Sequence, residues 1–400
     1  LRVQVRQLVR ILAQRLHDRD HVPDEDEQVV AAIRQAGGIV VAKTNTPEFG
    51  AGGNTNNALF GATRNPFDLA RTCGGSSGGS AVVLATNMMP LAQGSDTGGS
   101  LRLPATFNGI VAHRPSAGVV PSGMRDVALS FYQAQGPMAR TVADCSLMLS
   151  AMAMRSSVDP MAYPLDPSQF LELQQVDLSQ LRVAVTADLG CAPTSRGVRQ
   201  TFEKRVARFA PAFKSLEWRD PELGNVLEVF WLLRGVYMLA KHAERFERYG
   251  PELNPNVRSN FLAAQKMDLT RISVAHREQL LIYRKFQALF EDVDVVICPG
   301  VTVFPFPFDN LYPTEIDGAP MQNYVHWAGL TSALTVVGNP VTAIPCGLDP
   351  TGTPFGIQVV GPGHRDRFTL GVAHALEQLF NTDPELSRPI PGLAHGGAAH

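Results

Sequence analysis

The segment GSDTGGSLRLP, residues 94–104, determines how the rest of this sequence is interpreted. A strand-like segment at 90–93 precedes it, and a short helix is expected to begin near Leu101. Glycine lets a backbone approach a ligand without an intervening Cβ. We therefore expect the N–H groups of Thr97, Gly98, Gly99 and Ser100 to converge on one point, as the donors of an oxyanion hole do.

Two charged residues flank this turn. Asp96 stands before it and Arg102 follows it, and we expect an ion pair between them to hold the loop in place. Serine is a weak nucleophile until a base takes its proton. Ser100, beside the expected amide donors, is the first candidate nucleophile of the sequence.

A second glycine-rich segment, CGGSSGGS at residues 73–80, allows three interpretations. A flexible linker is disfavoured because helix and strand patterns follow at once. A phosphate-binding loop is disfavoured because neither segment carries the lysine of G-x-x-x-x-G-K-[ST]. The third is a hydrolase elbow of the G-x-S-x-G type with Ser77 as nucleophile, assisted by His326 or His364. That elbow needs a strand immediately before it, and residues 65–72 resemble a turn-rich loop.

The composition limits the class of protein. The 400 residues carry 35 Lys plus Arg and 37 Asp plus Glu, a formal net charge of −2, which argues against nucleic acid as a partner. Apolar residues make up 44% of the chain, so a sizeable core is expected. No apolar run approaches the roughly 20 residues of a membrane-spanning helix, so no membrane partner is expected.

Helix and strand patterns alternate from end to end, which predicts one α/β domain over residues 1–400. Helical patterns include 141–154, 197–213, 223–248, 272–290 and 368–380, and apolar strands are expected at 183–185, 293–298, 341–344 and 357–360. Residues 39–42 are predicted to form a short, fully buried strand. Residues 1–20 suggest a basic helix of unusual composition, and 394–400 a frayed tail.

Cysteine and histidine give no sign of a disulfide or of a metal site. The five cysteines are odd in number and far apart, which favours reduced, mostly buried thiols in a cytoplasmic protein. The ten histidines form no cluster at metal-ligand spacing. We therefore expect neither a metal nor a cofactor.

The two serine segments together resemble the amidase signature family. GGSSGGSA at 74–81 is followed by GSDTGGSLRLPA at 94–105, and VVAKTNTPEFGAGGNTNN at 40–57, GPMARTVAD at 136–144 and GNPVTAIPCG at 338–347 extend the likeness. The resemblance implies a single α/β domain in which helices cover both faces of a central mixed β-sheet. It also implies a small carboxamide substrate, and it leaves a homodimer open.

The resemblance assigns a mechanism to these residues. Ser100 would attack the amide carbonyl and form an acyl-enzyme, with the oxyanion hole at residues 97–100. Ser76, after a cis Gly75–Ser76 peptide bond, would relay the proton between Ser100 and a neutral lysine. Gly75, Ser77, Asp96 and Arg102 would support this arrangement.

The family's basic lysine, which lies in a V-K-D segment, has no counterpart here. Alignment of the motifs puts it at or just before Leu1, and none of the six lysines stands in such a segment. Lys43 matches a different position with a structural role, and it is a poor substitute for the base. We expect either an incomplete N-terminus or a natural variant that lacks its base. The sequence thus predicts impaired amide hydrolysis, with a non-catalytic binding protein and a Ser77 hydrolase as alternatives.

Overall fold

The computed structural model describes residues 24–123 and 125–392. The basic helix expected at 1–20 and the frayed tail expected at 394–400 lie outside the described residues. Among the residues described, no helix combines the length and the apolar character that crossing a bilayer requires.

The described strands form one large central sheet and three small two-stranded sheets. The strands are β1 Asn56–Asn57, β2 Gly61–Ala62, β3 Arg64–Asn65, β4 Asp68–Thr72, β5 Leu91–Asp96, β6 Val111–Arg114, β7 Ala134–Ala139, β8 Arg182–Val185, β9 Ser215–Trp218, β10 Val295–Pro299, β11 Glu315–Ile316, β12 Ala319–Pro320, β13 Val341–Leu348 and β14 Pro354–Val360. Eight of them build the central sheet, in the order β5-β7-β6-β13-β14-β10-β8-β9. Strand β8 pairs in parallel with β9 and β10, and the other neighbours are antiparallel, so the sheet is mixed.

Helices pack on both faces of this sheet. The described helices are α1 Gln28–Gln35, α2 Gly78–Ala85, α3 Arg102–Asn108, α4 Val142–Met152, α5 Arg196–Phe209, α6 Val226–Tyr249, α7 Pro255–Gln265, α8 Leu269–Asp292, α9 Gly329–Val337 and α10 Asp366–Asn381. Strand β10 shows the two faces, because successive side chains of a strand point to opposite sides. Val295 and Ile297 pack in a core cluster with α4, α5 and α10, whereas Val296 and Cys298 pack in another with α6, α8 and α9. The predicted α/β fold with a helix-covered mixed sheet is confirmed.

The buried strand expected at residues 39–42 is wrong. No strand forms there, and Ile39 and Val41 are exposed, with 86% of Ile39 accessible to solvent. An apolar run predicts burial only where a neighbouring strand pairs with it. No strand of the described part of the chain pairs with this segment.

The candidate catalytic loop follows the edge of the central sheet. Strand β5 is the first strand in the sheet order, and it ends at Asp96, immediately before the glycine-rich turn. Helix α3 begins at Arg102 and is wholly buried, so the turn between them is fixed at both ends.

Candidate active site

The two serine loops lie against each other at one cavity. The backbone N–H of Ser77 donates to the carbonyl of Ser100 at 3.2 Å. Ser76 is buried and Ser100 is half-buried, and both line a cavity of about 330 Å³. The peptide bond between Gly75 and Ser76 is cis, as the resemblance implies. The structure therefore brings together the two hydroxyl-bearing residues that the sequence analysis paired.

Tight packing fixes the first loop. Thr55 Oγ1 donates to the carbonyl of Gly74 at 2.8 Å, and Asn108 Nδ2 donates to the carbonyl of Cys73 at 2.7 Å. A Cβ added to Gly75 would lie 3.0 Å from the carbonyl oxygen of Gly52, and one added to Gly78 would overlap the Thr55 side chain. Residues 73–80 are therefore not a flexible linker. Their glycines let the buried loop pack closely against neighbouring backbone and side chains.

A buried carboxylate anchors the second loop. Asp96 receives Arg102 in a bidentate ion pair, with Nε at 2.9 Å and Nη2 at 3.0 Å, which confirms the pair expected from sequence. Arg114 Nη1 adds a second cation at 3.1 Å. Burial alone would raise the pKa of Asp96, but the charges of Arg102 and Arg114 together hold it well below its usual range. Asp96 therefore stays ionised at the centre of the anchor.

The same carboxylate changes the expected oxyanion hole. The N–H groups of Gly98 and Gly99 donate to Asp96 Oδ1 at 3.2 and 2.7 Å, so these amides already have an acceptor. Within the described residues, the N–H groups of Thr97 and Ser100 have no protein acceptor. Thr97 and Ser100 also line the cavity, whereas Gly98 and Gly99 do not. The sequence analysis expected four free amides in this turn. In the described structure two of them are free, because the Asp96 carboxylate accepts from the other two.

A helix that lines the cavity carries charge that the sequence analysis missed. Helix α6 contributes Arg234, Lys241, His242 and Arg245 to the lining. These residues lie more than a hundred positions after the serine loops in the chain. Their spacing indicates an amphipathic helix, but a periodic pattern cannot show that one side of that helix borders a cavity.

Comparison with known proteins places this chain in a family. Residues 12–370 match the sequence profile of the family described as Amidase.

The chain belongs to the amidase family.

Curated relatives of this amidase span most of its length. An acylamidase of Rhodococcus erythropolis is 29% identical over 363 residues, which cover 90% of this chain and 76% of the relative. A glutamyl-tRNA(Gln) amidotransferase subunit from Acidothermus cellulolyticus is 32% identical over 393 residues, covering 90% and 76%. Both are similar to this chain along nearly all of the described fold.

Solved structures share the fold of the amidase. A bacterial aryl acylamidase of the amidase signature family superimposes with a TM-score of 0.82 at 23% identity, covering 91% of this chain and 76% of that one. A 6-aminohexanoate cyclic dimer hydrolase, solved with its substrate, gives a TM-score of 0.78 at 25% identity, covering 89% and 78%. At 23% identity, the likeness to the aryl acylamidase shows a shared fold alone.

The lysines of this amidase can now be placed relative to the cavity. All six lie in the described residues, and of these only Lys241 lines the cavity. Burial lowers the pKa of Lys43 to about 8, but Lys43 does not line the cavity. Burial alone would also lower the pKa of Lys241, yet Tyr237, at 2.7 Å, and Asp126, at 3.4 Å, raise it. No described lysine thus combines a place in the cavity with a lowered pKa.

The elbow built on Ser77 lacks the geometry of a nucleophile. Ser77 Oγ accepts from the N–H of Ser95 at 3.2 Å, and Ser77 does not line the cavity. Strand β4 does precede this loop, which the sequence analysis missed, but it pairs only with β3, outside the central sheet. His326 and His364 are likewise absent from the described lining of the cavity.

The five cysteines do not line this cavity, and the described residues form no metal site. The five cysteines are free, and burial raises the pKa of Cys73, next to the first loop, to about 12. Over residues 24–123 and 125–392, no group of His, Cys, Asp and Glu side chains could hold a metal ion.

Proposed function

We propose that this amidase cleaves the C–N bond of small carboxamides through an acyl-enzyme on Ser100. The observation that carries the proposal is the shared cavity: Ser76 and Ser100 line it together, with a hydrogen bond joining their loops. A cavity of about 330 Å³ lies at the lower end of the range for small-molecule sites, so the substrate is small.

In the first half-reaction, Ser100 Oγ bonds to the amide carbonyl carbon and gives its proton to Ser76. Ser76 passes a proton to the nitrogen of the amine, which leaves as the C–N bond breaks. In the second half-reaction, water attacks the acyl-enzyme carbonyl. The carboxylic acid is released, and the proton returns to Ser100 Oγ.

The N–H groups of Thr97 and Ser100 supply the oxyanion donors in this proposal. Neither has a protein acceptor among the described residues, so both are available to the negative oxygen that develops in the transition state. Each such donor contributes about 3–4 kcal/mol to transition-state stabilisation. Between these two donors, the amides of Gly98 and Gly99 are hydrogen-bonded to Asp96, which fixes the direction of the turn.

Turnover by this chain is slow in our proposal, because no lysine of the described cavity wall is held neutral to serve Ser76 as a base. Lys241, the lysine in the described cavity wall, stays protonated beside Tyr237 and Asp126. Loss of one member of a comparable triad costs on the order of 10⁴–10⁶ in kcat. The same observation favours a second candidate, a binding protein that holds an amide without cleaving it.

Labelling with a fluorophosphonate separates these functions, since the reagent reacts with an activated serine hydroxyl. We expect the wild-type chain and Ser77→Ala to be labelled slowly at Ser100, as an incompletely activated hydroxyl would be, and Ser100→Ala to remain unlabelled. No labelling of the wild type would favour the binding protein, and labelling at Ser77 would favour the elbow hydrolase.

A rate measurement tests the impairment separately. We expect ammonia release from a simple primary amide to fall far below the roughly 10 s⁻¹ of a median enzyme. A rate near that value, lost in Ser100→Ala, would show that the chain has a base that we have not identified.

A further inference from the structure

Arg234 is a buried cation without an acidic partner in the described part of the chain. It lies on α6, only 6% of it is exposed, and it lines the same cavity as Ser76 and Ser100. Its Nε and Nη2 both donate to the hydroxyl of Tyr324, at 3.2 and 2.5 Å. A tyrosine hydroxyl is a neutral acceptor, so it leaves the charge of the guanidinium uncompensated.

The acidic residues of the cavity wall are engaged elsewhere. Glu27 accepts from Gln135 Nε2 at 2.6 Å and from Ser122 Oγ at 3.2 Å. Asp126 pairs with Lys241 at 3.4 Å and accepts from Gln133 Nε2 at 2.7 Å. Neither carboxylate forms an ion pair with Arg234.

The other cations of this wall differ from Arg234. The charge of Lys241 is balanced by Asp126. Arg245 is exposed to solvent, lies over the ring of Phe49 and donates to the carbonyl of Lys241. Arg234 thus combines burial, a place in the cavity and the lack of a counter-charge in the described structure.

A buried, unpaired cation is unfavourable for folding, and such groups are normally paired or hydrogen-bonded to an anion. A guanidinium carries five N–H donors, and its planar fork matches a carboxylate in a bidentate arrangement. The hydroxyl of Tyr324 occupies only part of that fork. The remaining donors are left for a ligand within the cavity.

We propose that Arg234 binds a carboxylate carried by the amide substrate, so that this amidase selects half-amides of short dicarboxylic acids over neutral amides. This inference rests on the proposed function, because it takes the cavity of Ser76 and Ser100 as the amide site. The volume of about 330 Å³ favours short substrates, in which the amide carbon and the carboxylate are a few bonds apart.

Equilibrium binding tests this selectivity without requiring turnover. In a Ser100→Ala background, calorimetry compares glutaramate, which carries one amide and one carboxylate, with the neutral diamide glutaramide. We expect glutaramate to bind about 10- to 100-fold more tightly, as for one charge-assisted hydrogen-bonded pair. Arg234→Met in the same background should remove this preference, and Arg234→Lys should retain part of it.

Arg271→Met provides the matched control. Arg271 is an exposed arginine on α8 that pairs with Glu228, and it does not line the cavity. This variant should keep the full preference for glutaramate. Equal binding of the two ligands by the Ser100→Ala chain, or equal loss of preference in both arginine variants, would overturn the inference.

Thermal unfolding separates binding from a structural role. Because Arg234 is buried without a counter-charge, Arg234→Met should unfold at the same temperature as the parent or higher. A clear fall in its unfolding midpoint would assign Arg234 to the fold and overturn the inference. Failure of fluorophosphonate labelling at Ser100 would instead contradict the proposed mechanism. The comparison of glutaramate with glutaramide would still test the role of Arg234, because it measures binding and not turnover.

Discussion

Replacing Asp96 with Asn tests the anchor of the Ser100 loop. Asparagine keeps the shape of the side chain but removes its charge and one acceptor oxygen. The carboxylate receives six donors: the N–H groups of Gly98, Gly99 and Leu101, Arg102 Nε and Nη2, and Arg114 Nη1. Oδ1 accepts four of these donors and Oδ2 accepts two, so Asp96→Asn leaves at least two donors without an acceptor.

The cost follows from the burial of the two arginines. Arg102 and Arg114 are both buried, so Asp96→Asn leaves two cations without their counter-charge. Removing one partner of a buried ion pair costs about 3–5 kcal/mol. With an unfolding entropy of about 2.1 cal/mol/K per residue, the midpoint of thermal unfolding should fall by about 4–6 °C. Labelling of Ser100 should slow by at least about tenfold, because the neighbouring amides lose their fixed direction.

The effect also depends on pH. Arg102 and Arg114 outweigh burial and hold the pKa of Asp96 below its value in the unfolded chain. The stability that Asp96 contributes is therefore fully present above about pH 4 and declines as the pH falls through its folded pKa. Calorimetry at pH 7 and pH 3 should show a smaller difference between wild type and Asp96→Asn at the lower pH.

Asp68→Asn is the control for this experiment. Asp68 forms a partly exposed ion pair with Arg71 at the surface, and pairs of this kind contribute little to stability. Its variant should unfold at the wild-type temperature and label at the wild-type rate. If Asp96→Asn behaved in the same way, the buried cluster would not be the anchor of the Ser100 loop.

Two further predictions concern the loop glycine and the half-buried lysine. Gly99→Ala should abolish labelling of Ser100 and cost about 1–3 kcal/mol in unfolding free energy, because its φ is +126° and a Cβ would overlap Thr331. Gly392→Ala, in open space, should change neither quantity. Since burial lowers the pKa of Lys43 to about 8, below its unfolded value of about 10.4, the wild type should gain stability relative to Lys43→Met as the pH rises through this interval. Urea unfolding at pH 7 and pH 10 measures this, and a difference independent of pH would contradict it.

Many of the helices and strands could be predicted from the local pattern of apolar residues. The apolar runs at 183–185 and 357–360 became β8 and β14, because runs of this kind form strands in the middle of a helix-covered sheet. The segment 39–42 is also apolar, yet it forms no strand. Composition records how apolar a segment is, but it does not record whether another strand lies beside it.

In the candidate site, too, the sequence predicts which residues come together but not which atoms they contact. The glycines of residues 97–100 indicate a turn with accessible amides, and Ser76 and Ser100 do line one cavity. Two of these amides, those of Gly98 and Gly99, are taken by Asp96, because its side chain turns back on the loop that follows it. Arg234 could not be found at all, because its significance lies in the absence of an acidic partner among the described residues, which no motif encodes.

The serine loop and the cationic wall of the cavity are anchored by different ion pairs. Asp96, Arg102 and Arg114 tie the serine loop to strands β5 and β6 and to helix α3. The cationic wall belongs to α6, which takes no part in that cluster. Substitutions on the wall can therefore alter which amides enter while the attacking hydroxyl keeps its position. An evolving lineage, or a protein engineer, could exchange the ligand preference of this fold without rebuilding its reactive centre.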